Sequence, residues 1–135
     1  MDNESLDTQT LQYGDSTSKN VAPAPDLPLT GNTACQGEAT GCARIVYSAD
    51  EIHKVKQGDI LVTTMTTPDL MLAIERCVGI VTDEGGILCH AAIISRELQI
   101  PCIIGTEWAT QSIEDGDNIH VDAANSTGYV NSLSK

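Results

Sequence analysis

One segment of the sequence combines residue types and spacing that group transfer could use. It runs from Thr82 to Gly105 (TDEGGILCHAAIISRELQIPCIIG), and its single histidine, His90, follows the glycine pair Gly85 and Gly86. The pattern predicts a strand that ends before the glycines and a helix that begins at about His90. The free amide groups and the dipole at a helix N-terminus favour an anion. A neutral imidazole there can act as a nucleophile, because the helix end stabilises its phosphorylated form.

Each neighbour of His90 has a structural explanation beside the functional one. Ala91 is small, which leaves room for a bulky group to approach the imidazole. Cys89 is either a reactive thiol near the helix start or a small packing residue. The carboxylates of Asp83 and Glu84 increase the basicity of the ring only if they face it. The residue pattern alone therefore leaves two interpretations of His90 open, a nucleophile or base and an inert residue at a helix start.

The other two histidines lack such surroundings. His53 lies in a polar stretch and is predicted to be a solvated surface residue. His120 alternates with Ile119 and Val121 on a predicted strand, so its side chain should lie on the opposite, solvent-facing side. Neither has a glycine loop or a helix start beside it, and His90 is the better candidate.

The cysteines predict free thiols and no metal centre. Their number is odd, their spacing is wide, and the sequence contains no CxxC or HxxxH pair, whereas structural zinc sites use closely spaced ligands. Secreted disulfide frameworks are usually smaller and have an even number of cysteines. Reduced and mostly buried thiols are expected at Cys35, Cys42, Cys77, Cys89 and Cys102.

The composition limits the classes of protein to which the chain can belong. Its 135 residues suit one domain, and the apolar fraction of 41% with no phenylalanine predicts an aliphatic core. A formal net charge of -12 argues against nucleic acid or an anionic membrane as a partner, because phosphates bind clustered lysine and arginine. No apolar run approaches the roughly 20 residues of a membrane span, and the first thirty residues lack a signal-peptide pattern. A cytoplasmic protein is expected.

Two parts of the chain differ in composition. Residues 1–30 are acidic, contain three prolines and have few apolar side chains, which predicts a flexible tail or linker. Residues 31–135 form the predicted domain, which opens with a small-residue segment suited to close backbone approach. Strands and helices then alternate, which predicts an α/β domain with helices over one face of a sheet and further strands over the other.

Periodicity and turn residues place the individual elements. Strands are predicted at residues 43–47, 60–63, 78–82 and 101–104, and a closing hairpin at 119–122 and 128–131. Helices are predicted after Ser48 or Asp50, after an N-cap at Thr67 as far as Arg76, and from about His90 to Leu98.

Four segments resemble, in order and at ordinary spacing, the mobile domain of PEP-utilising enzymes, the family of PEP synthase, pyruvate phosphate dikinase and rifampin phosphotransferase. GGILCHAAIISRELQIPCIIG is similar to the family's phosphohistidine signature. LTGNTACQGEATGCARIV is similar to the start of that domain, GDILVTTMTTPDL to its strand and Thr-rich loop, and DGDNIHVDAANSTGYV to its closing hairpin. The resemblance covers roughly residues 29–131.

This resemblance implies the swivelling, three-layer β/β/α phosphohistidine domain of a dikinase-like phosphotransferase. It implies that His90 carries a phosphoryl group on Nε2 from an ATP-grasp partner to a PEP/pyruvate barrel or another acceptor. In PEP synthase this group is the β-phosphoryl of ATP, and AMP and phosphate are released. The domain itself is expected to bind no cofactor or metal, since ATP and Mg²⁺ belong to the ATP-grasp partner. Gly85 and Gly86 match the family's glycine pair, and Cys89 matches the small residue before the histidine.

The resemblance also implies that the Thr-rich loop lies close to the histidine. Thr66 and Thr67 are therefore candidates to hydrogen-bond a phosphoryl group, although N-capping of the helix that begins at Pro68 is the preferred role of Thr67. Three departures from the family are present, and one of them is the turn from Ala124 to Thr127, which replaces a shorter turn that contains glycine. Leu88 stands where many members have the threonine that their regulatory protein phosphorylates, so this regulation is not expected. Gln99 replaces a glycine and is expected to alter only the helix end.

Two functions of different classes follow. The first is a phosphoryl carrier that is incomplete alone, since a barrel partner by itself needs about 250 residues. The second is a non-catalytic regulatory or interaction module that retains the fold, and the intact GGILCHAA stretch argues against it. The sequence leaves open the final phosphoryl acceptor, the oligomeric state, and whether the domain is a separate subunit or part of a longer chain.

Overall fold

The computed structural model describes residues 27–86 and 89–133. Within these ranges the strands are β1 (Leu29–Cys35), β2 (Gly37–Ile45), β3 (Ile60–Thr63), β4 (Gly79–Thr82), β5 (Cys102–Ile104), β6 (Asn118–Ala123) and β7 (Thr127–Ser132). The helices are α1 (Met71–Arg76), α2 (His90–Leu98) and α3 (Ala109–Ser112), and short 3-10 helices lie at Ala49–Lys54 and Pro68–Leu70.

The seven strands close into a barrel in the order β1-β5-β4-β3-β2-β6-β7. The strands β2, β3, β4 and β5 form a parallel group. The strands β1, β6 and β7 are joined to them and to each other by antiparallel pairing. The predicted closing hairpin is present as β6 and β7, where Val121 pairs with Val130. Closure of the sheet removes the exposed edges that an open sheet would have.

Side chains of the parallel strands alternate between two hydrophobic cores. On β3, Ile60 and Val62 belong to the core that the barrel encloses. The intervening Leu61 belongs to a second core, which also contains Ile74 of α1 and Ala92 of α2. The two cores separate an antiparallel layer, a parallel layer and a helical layer. The predicted α/β class and β/β/α layering are confirmed.

The start of the domain differs from the prediction. The bounds of β3 and α2 are the predicted ones. The small-residue segment after Gly31, in contrast, forms most of β1 and β2. The strand predicted at 43–47 begins earlier, at Gly37. Leu29 and Thr30 already lie in β1, so the folded domain begins inside the segment predicted as a tail. Residues 1–26 of that segment lie outside the described residues.

The short helical segments also depart from the prediction. A 3-10 helix replaces the helix predicted after Ser48, whose side chain makes no capping hydrogen bond. The four residues of α3 were not predicted, because so short a segment has no readable period. No helix in the described ranges has the length and apolar composition that crossing a membrane requires.

The five cysteines are free thiols, of which Cys77 and Cys102 are buried and the other three half-buried. Burial raises the pKa of Cys77 to about 11 and the pKa of Cys102 to about 12, because apolar surroundings disfavour the thiolate. At neutral pH these two thiols therefore act as small apolar residues of the core.

The end of α2 gives a first testable prediction. Gln99 closes the helix in the left-handed conformation, with φ 60° and ψ 46°, where a Cβ atom is unfavourable and glycine is preferred. Gln99→Gly is expected to stabilise the fold by about 1 kcal/mol, measured as the free energy of unfolding in urea. Gln99→Ala keeps the Cβ atom and should give no such gain; equal stability of the two variants would contradict the explanation.

Candidate functional site

A cavity of about 390 Å³ lies at the carboxyl ends of β3 and β4, beside the start of α2. This end of a parallel sheet is where α/β proteins commonly bind ligands. The cavity is lined by Met65, Thr66, Thr82, Glu84, Gly85, Gly86, Cys89, His90 and Ala91.

The imidazole of His90 is held by one hydrogen bond. His90 is the first residue of α2 and is half-buried. Its Nδ1 lies 2.8 Å from Oγ1 of Thr66, a residue that is only 2% exposed. No other described residue hydrogen-bonds the ring, so Nε2 has no hydrogen-bond partner in the described part of the chain. A hydrogen bond at one ring nitrogen sets the tautomer and orientation of an imidazole.

Backbone hydrogen bonds hold the loop after β4 between the loops after β3 and β5. The N–H group of Asp83 donates to the carbonyl of Thr63 at 3.1 Å. The N–H group of Glu84 donates to the carbonyl of Thr64 at 2.9 Å. On the other side, Gly105 N–H donates to the Glu84 carbonyl at 3.3 Å. The loop that leads to the histidine is thereby fixed relative to the loop that carries its hydroxyl partner.

The two glycines of this loop have different roles. A Cβ atom on Gly85 would lie 2.5 Å from Cβ of Ile104, which no real pair of side chains tolerates. A Cβ atom on Gly86 would meet nothing within 4 Å. Neither glycine has a positive φ. The pair therefore does not supply a left-handed backbone conformation: Gly85 is needed for close packing against β5, and Gly86 leaves the cavity open.

The first turn of α2 has no side-chain cap. Cys89 occupies the N-cap position in extended conformation and its side chain makes no capping hydrogen bond. Its backbone is engaged, since its N–H donates to Gly86 and its carbonyl accepts from Ile93. The first amides of a helix have no partner within the helix, so those at His90 and Ala91 are suited to an anion.

The structure brings together six of the seven predicted site residues. Thr67 is the exception: it is absent from the cavity wall, and although it precedes the 3-10 helix at the N-cap position, it makes no capping side-chain hydrogen bond. The predicted N-cap position of Thr67 is therefore confirmed, but the side-chain hydrogen bond of a cap is absent. Leu88, the position of the expected regulatory difference, lies outside the described residues. The six residues around the cavity are Thr66, Gly85, Gly86, Cys89, His90 and Ala91.

The loop carboxylates do not orient the imidazole. Asp83 uses both carboxylate oxygens on Thr110 of α3, at 2.5 Å to the hydroxyl and 2.9 Å to the backbone N–H. Glu84 is exposed at the cavity and makes no hydrogen bond to the ring of His90. The effect on the basicity of the ring, which required that these carboxylates face it, therefore has no hydrogen bond to support it.

The other histidines lie away from the cavity, on the outer surface. His53 is exposed, with Nδ1 3.1 Å from the Asp50 carbonyl. His120 is half-buried on β6, with Nε2 3.3 Å from a Glu38 carboxylate oxygen. Their predicted positions are confirmed.

Two cavity residues were not selected from the sequence. Thr82 is fully buried, and its hydroxyl donates to the Glu84 carbonyl at 2.5 Å. Met65 is 52% exposed and forms an apolar part of the cavity wall. Both lie at or just after the carboxyl end of a parallel strand, a position that by itself points to a ligand site.

The sequence profile of the PEP-utilising enzyme mobile domain matches residues 55–126. This match includes more than half of the chain and every residue that lines the cavity. The chain belongs to the family of PEP-utilising enzyme mobile domains, and the resemblance predicted from the sequence is confirmed.

Individual relatives agree with this family. The probable phosphoenolpyruvate synthase of Archaeoglobus fulgidus is 49% identical over 107 residues, which cover 79% of this chain and 14% of the relative. The phosphoenolpyruvate synthase of Pyrococcus furiosus is 49% identical over 104 residues, 77% of this chain and 13% of the relative. The chain therefore spans about 14% of the length of the curated relatives that it matches.

A solved structure shares the fold. The crystal structure of Thermococcus kodakaraensis aconitase X in its holo-form has a TM-score of 0.52 and 15% sequence identity. The similarity covers 77% of this chain and 98% of that chain. At this identity the likeness concerns the fold alone.

Proposed function

We propose that this domain is the phosphoryl carrier of a PEP synthase-like enzyme and that His90 is the residue that becomes phosphorylated. The histidine takes the group at an ATP-grasp partner, where ATP and Mg²⁺ bind, and delivers it to a pyruvate/PEP site or another acceptor. Membership of the family of PEP-utilising mobile domains and the phosphoenolpyruvate synthases among its relatives support this proposal.

The main structural support is the hydrogen bond between Nδ1 of His90 and Oγ1 of Thr66. When Nδ1–H donates to the threonine hydroxyl, the lone pair of the ring lies on Nε2. That tautomer is the one that a nucleophile at Nε2 requires. In this tautomer the buried hydroxyl of Thr66 orients the ring and leaves the lone pair of Nε2 free to attack.

Transfer then needs one bond to form and one to break in each direction. The Nε2 lone pair attacks phosphorus, an N–P bond forms, and the P–O bond to the leaving group breaks with its electron pair on oxygen. On delivery an acceptor oxygen attacks phosphorus, and the N–P electron pair returns to Nε2. In both steps the proton stays on Nδ1, which donates it to the hydroxyl oxygen of Thr66. The amides at the start of α2 favour the negative phosphoryl oxygens.

The role of the hydroxyl can be tested directly. Thr66→Val removes the hydroxyl at nearly constant volume, so the ring loses its tautomer preference and orientation. The rate of phosphorylation of His90 is expected to fall about tenfold, the kinetic equivalent of about 1.4 kcal/mol. Thr66→Ser keeps the hydroxyl and should retain most of the rate. Equal rates for the valine and serine variants would contradict the assigned tautomer.

Phosphorylation itself is tested on the wild-type chain. The chain is incubated with MgATP and the ATP-grasp part of a related PEP synthase, whose competence is established on its own mobile domain. The expected result is a mass gain of one acid-labile phosphoryl group that maps to Nε2 of His90. No mass gain with a competent partner would overturn the proposal and favour a non-catalytic module that retains the fold.

A further inference from the structure

A carboxylate and a hydroxyl outside the cavity tie the loop after β4 to α3. Oδ2 of Asp83 accepts from the Thr110 hydroxyl at 2.5 Å, and Oδ1 accepts from the Thr110 backbone N–H at 2.9 Å. Thr110 is 8% exposed, so water competes little for these bonds. Hydrogen bonds to an ionised carboxylate are stronger than those between neutral groups.

The backbone of Asp83 extends this connection to two further loops. Its N–H donates to the carbonyl of Thr63 at the end of β3, and its carbonyl accepts from Glu107 after β5 at 2.9 Å. Asp83 therefore contacts the last residue of β3, the loop that follows β5, and α3. The loop directly after β3 carries Thr66, and the loop of Asp83 itself leads into α2.

From these contacts we infer that Asp83 and Thr110 are a positioning pair for the reactive histidine. Neither touches the ring. Together they fix the loop that leads to His90 against the loop that carries Thr66, and this placement sets the 2.8 Å separation of Nδ1 and Oγ1. The expected change in the rate of phosphorylation rests on the proposed function. The expected change in the orientation and tautomer of the His90 ring does not.

The test compares Thr110→Val with Thr110→Ser in the full chain labelled with ¹⁵N. In Thr110→Val the imidazole nitrogen resonances of His90 are expected to move towards the average of two exchanging tautomers. The rate of phosphorylation should fall about tenfold, as for one lost charge-assisted hydrogen bond. Thr110→Ser retains the hydroxyl donor and should keep both the wild-type resonances and most of the rate.

Asp83→Ala is a second, independent variant that removes the same contact from the other side. Because removal of the carboxylate already abolishes the bond to the Thr110 hydroxyl, the double variant should be no more affected than the Asp83 variant alone. Thr33→Val is the matched control: the Oγ1 atom of Thr33 is buried without a hydrogen-bond partner in the described residues, so its removal should leave the His90 resonances unchanged.

Wild-type His90 resonances in folded Thr110→Val or Asp83→Ala would overturn the inference. Additive losses in the double variant, or a serine variant as affected as the valine variant, would also overturn it. Should wild type accept no phosphoryl group from a competent partner, the proposed function fails. The imidazole nitrogen resonances of His90 would still show whether Asp83 and Thr110 position the ring.

Discussion

Replacement of His90 by alanine is expected to abolish phosphoryl acceptance and to leave the fold in place. The ring is half-buried and makes one hydrogen bond to the described residues, and alanine is a good helix former. The expected cost in the free energy of unfolding is about 1 kcal/mol, the value of one hydrogen bond. The other histidines lie on the outer surface, so neither can replace it. The mass of the chain after incubation with the ATP-grasp partner and MgATP is the measurement.

His90→Asn provides a sharper control than alanine. Its side-chain amide can occupy the position of Nδ1 and hydrogen-bond Thr66, but it has no group at the position of Nε2. Acceptance should be lost in this variant although the hydrogen bond is kept. A full mass gain of one phosphoryl group in either His90 variant would show that another residue carries the group.

The region from β4 to the end of α2 follows from local features of the sequence. A buried aliphatic strand, two glycines and an apolar helical period lie next to each other, and each acts over only a few residues. The helix therefore begins at His90 and ends at Leu98 in both the prediction and the structure. The order of the three layers was predicted from the resemblance to the PEP-utilising family and not from these local features.

The side-chain contacts within the site could not be predicted from local sequence patterns. Thr66 and Thr67 are adjacent and chemically alike, and only the packing of the loop after β3 decides that Thr66 meets the ring. Likewise, Asp83 was considered as a partner of the imidazole, yet its carboxylate binds Thr110, 27 residues further along the chain. Such choices depend on how three loops meet at one end of the barrel.

The prediction missed β1 and most of β2 for a different reason. From Gly31 to Ala43 the chain is rich in glycine, alanine and polar residues, which have weak strand propensity by themselves. Their strands exist because β1 pairs with β5 and β7, and β2 pairs with β3 and β6. Non-local pairing of this kind overrides propensity and has no signature within the segment.

Gly85→Ala is expected to destabilise the fold by about 3 kcal/mol, at the upper end of the usual cost of overpacking. The new methyl group would lie 2.5 Å from Cβ of Ile104 and 3.0 Å from the backbone nitrogen of Gly105. Neither atom can rotate away, because one is at the root of a buried side chain and the other belongs to the main chain. The loop must therefore move away from β5, which stretches the hydrogen bond from Gly105 to Glu84. Urea unfolding measures the loss.

Gly86→Ala is the matched control in the next position. Its methyl group would meet nothing within 4 Å, so this variant should be as stable as wild type or more stable by about 0.5 kcal/mol. Both substitutions remove nearly the same conformational freedom from the unfolded chain, and their difference in unfolding free energy therefore measures the contact with Ile104 in the folded state. Equal stability of the two variants would mean that the loop moves away from β5 at little cost. The histidine would then be held in place by Thr66 and α2 rather than by close packing of the glycine loop.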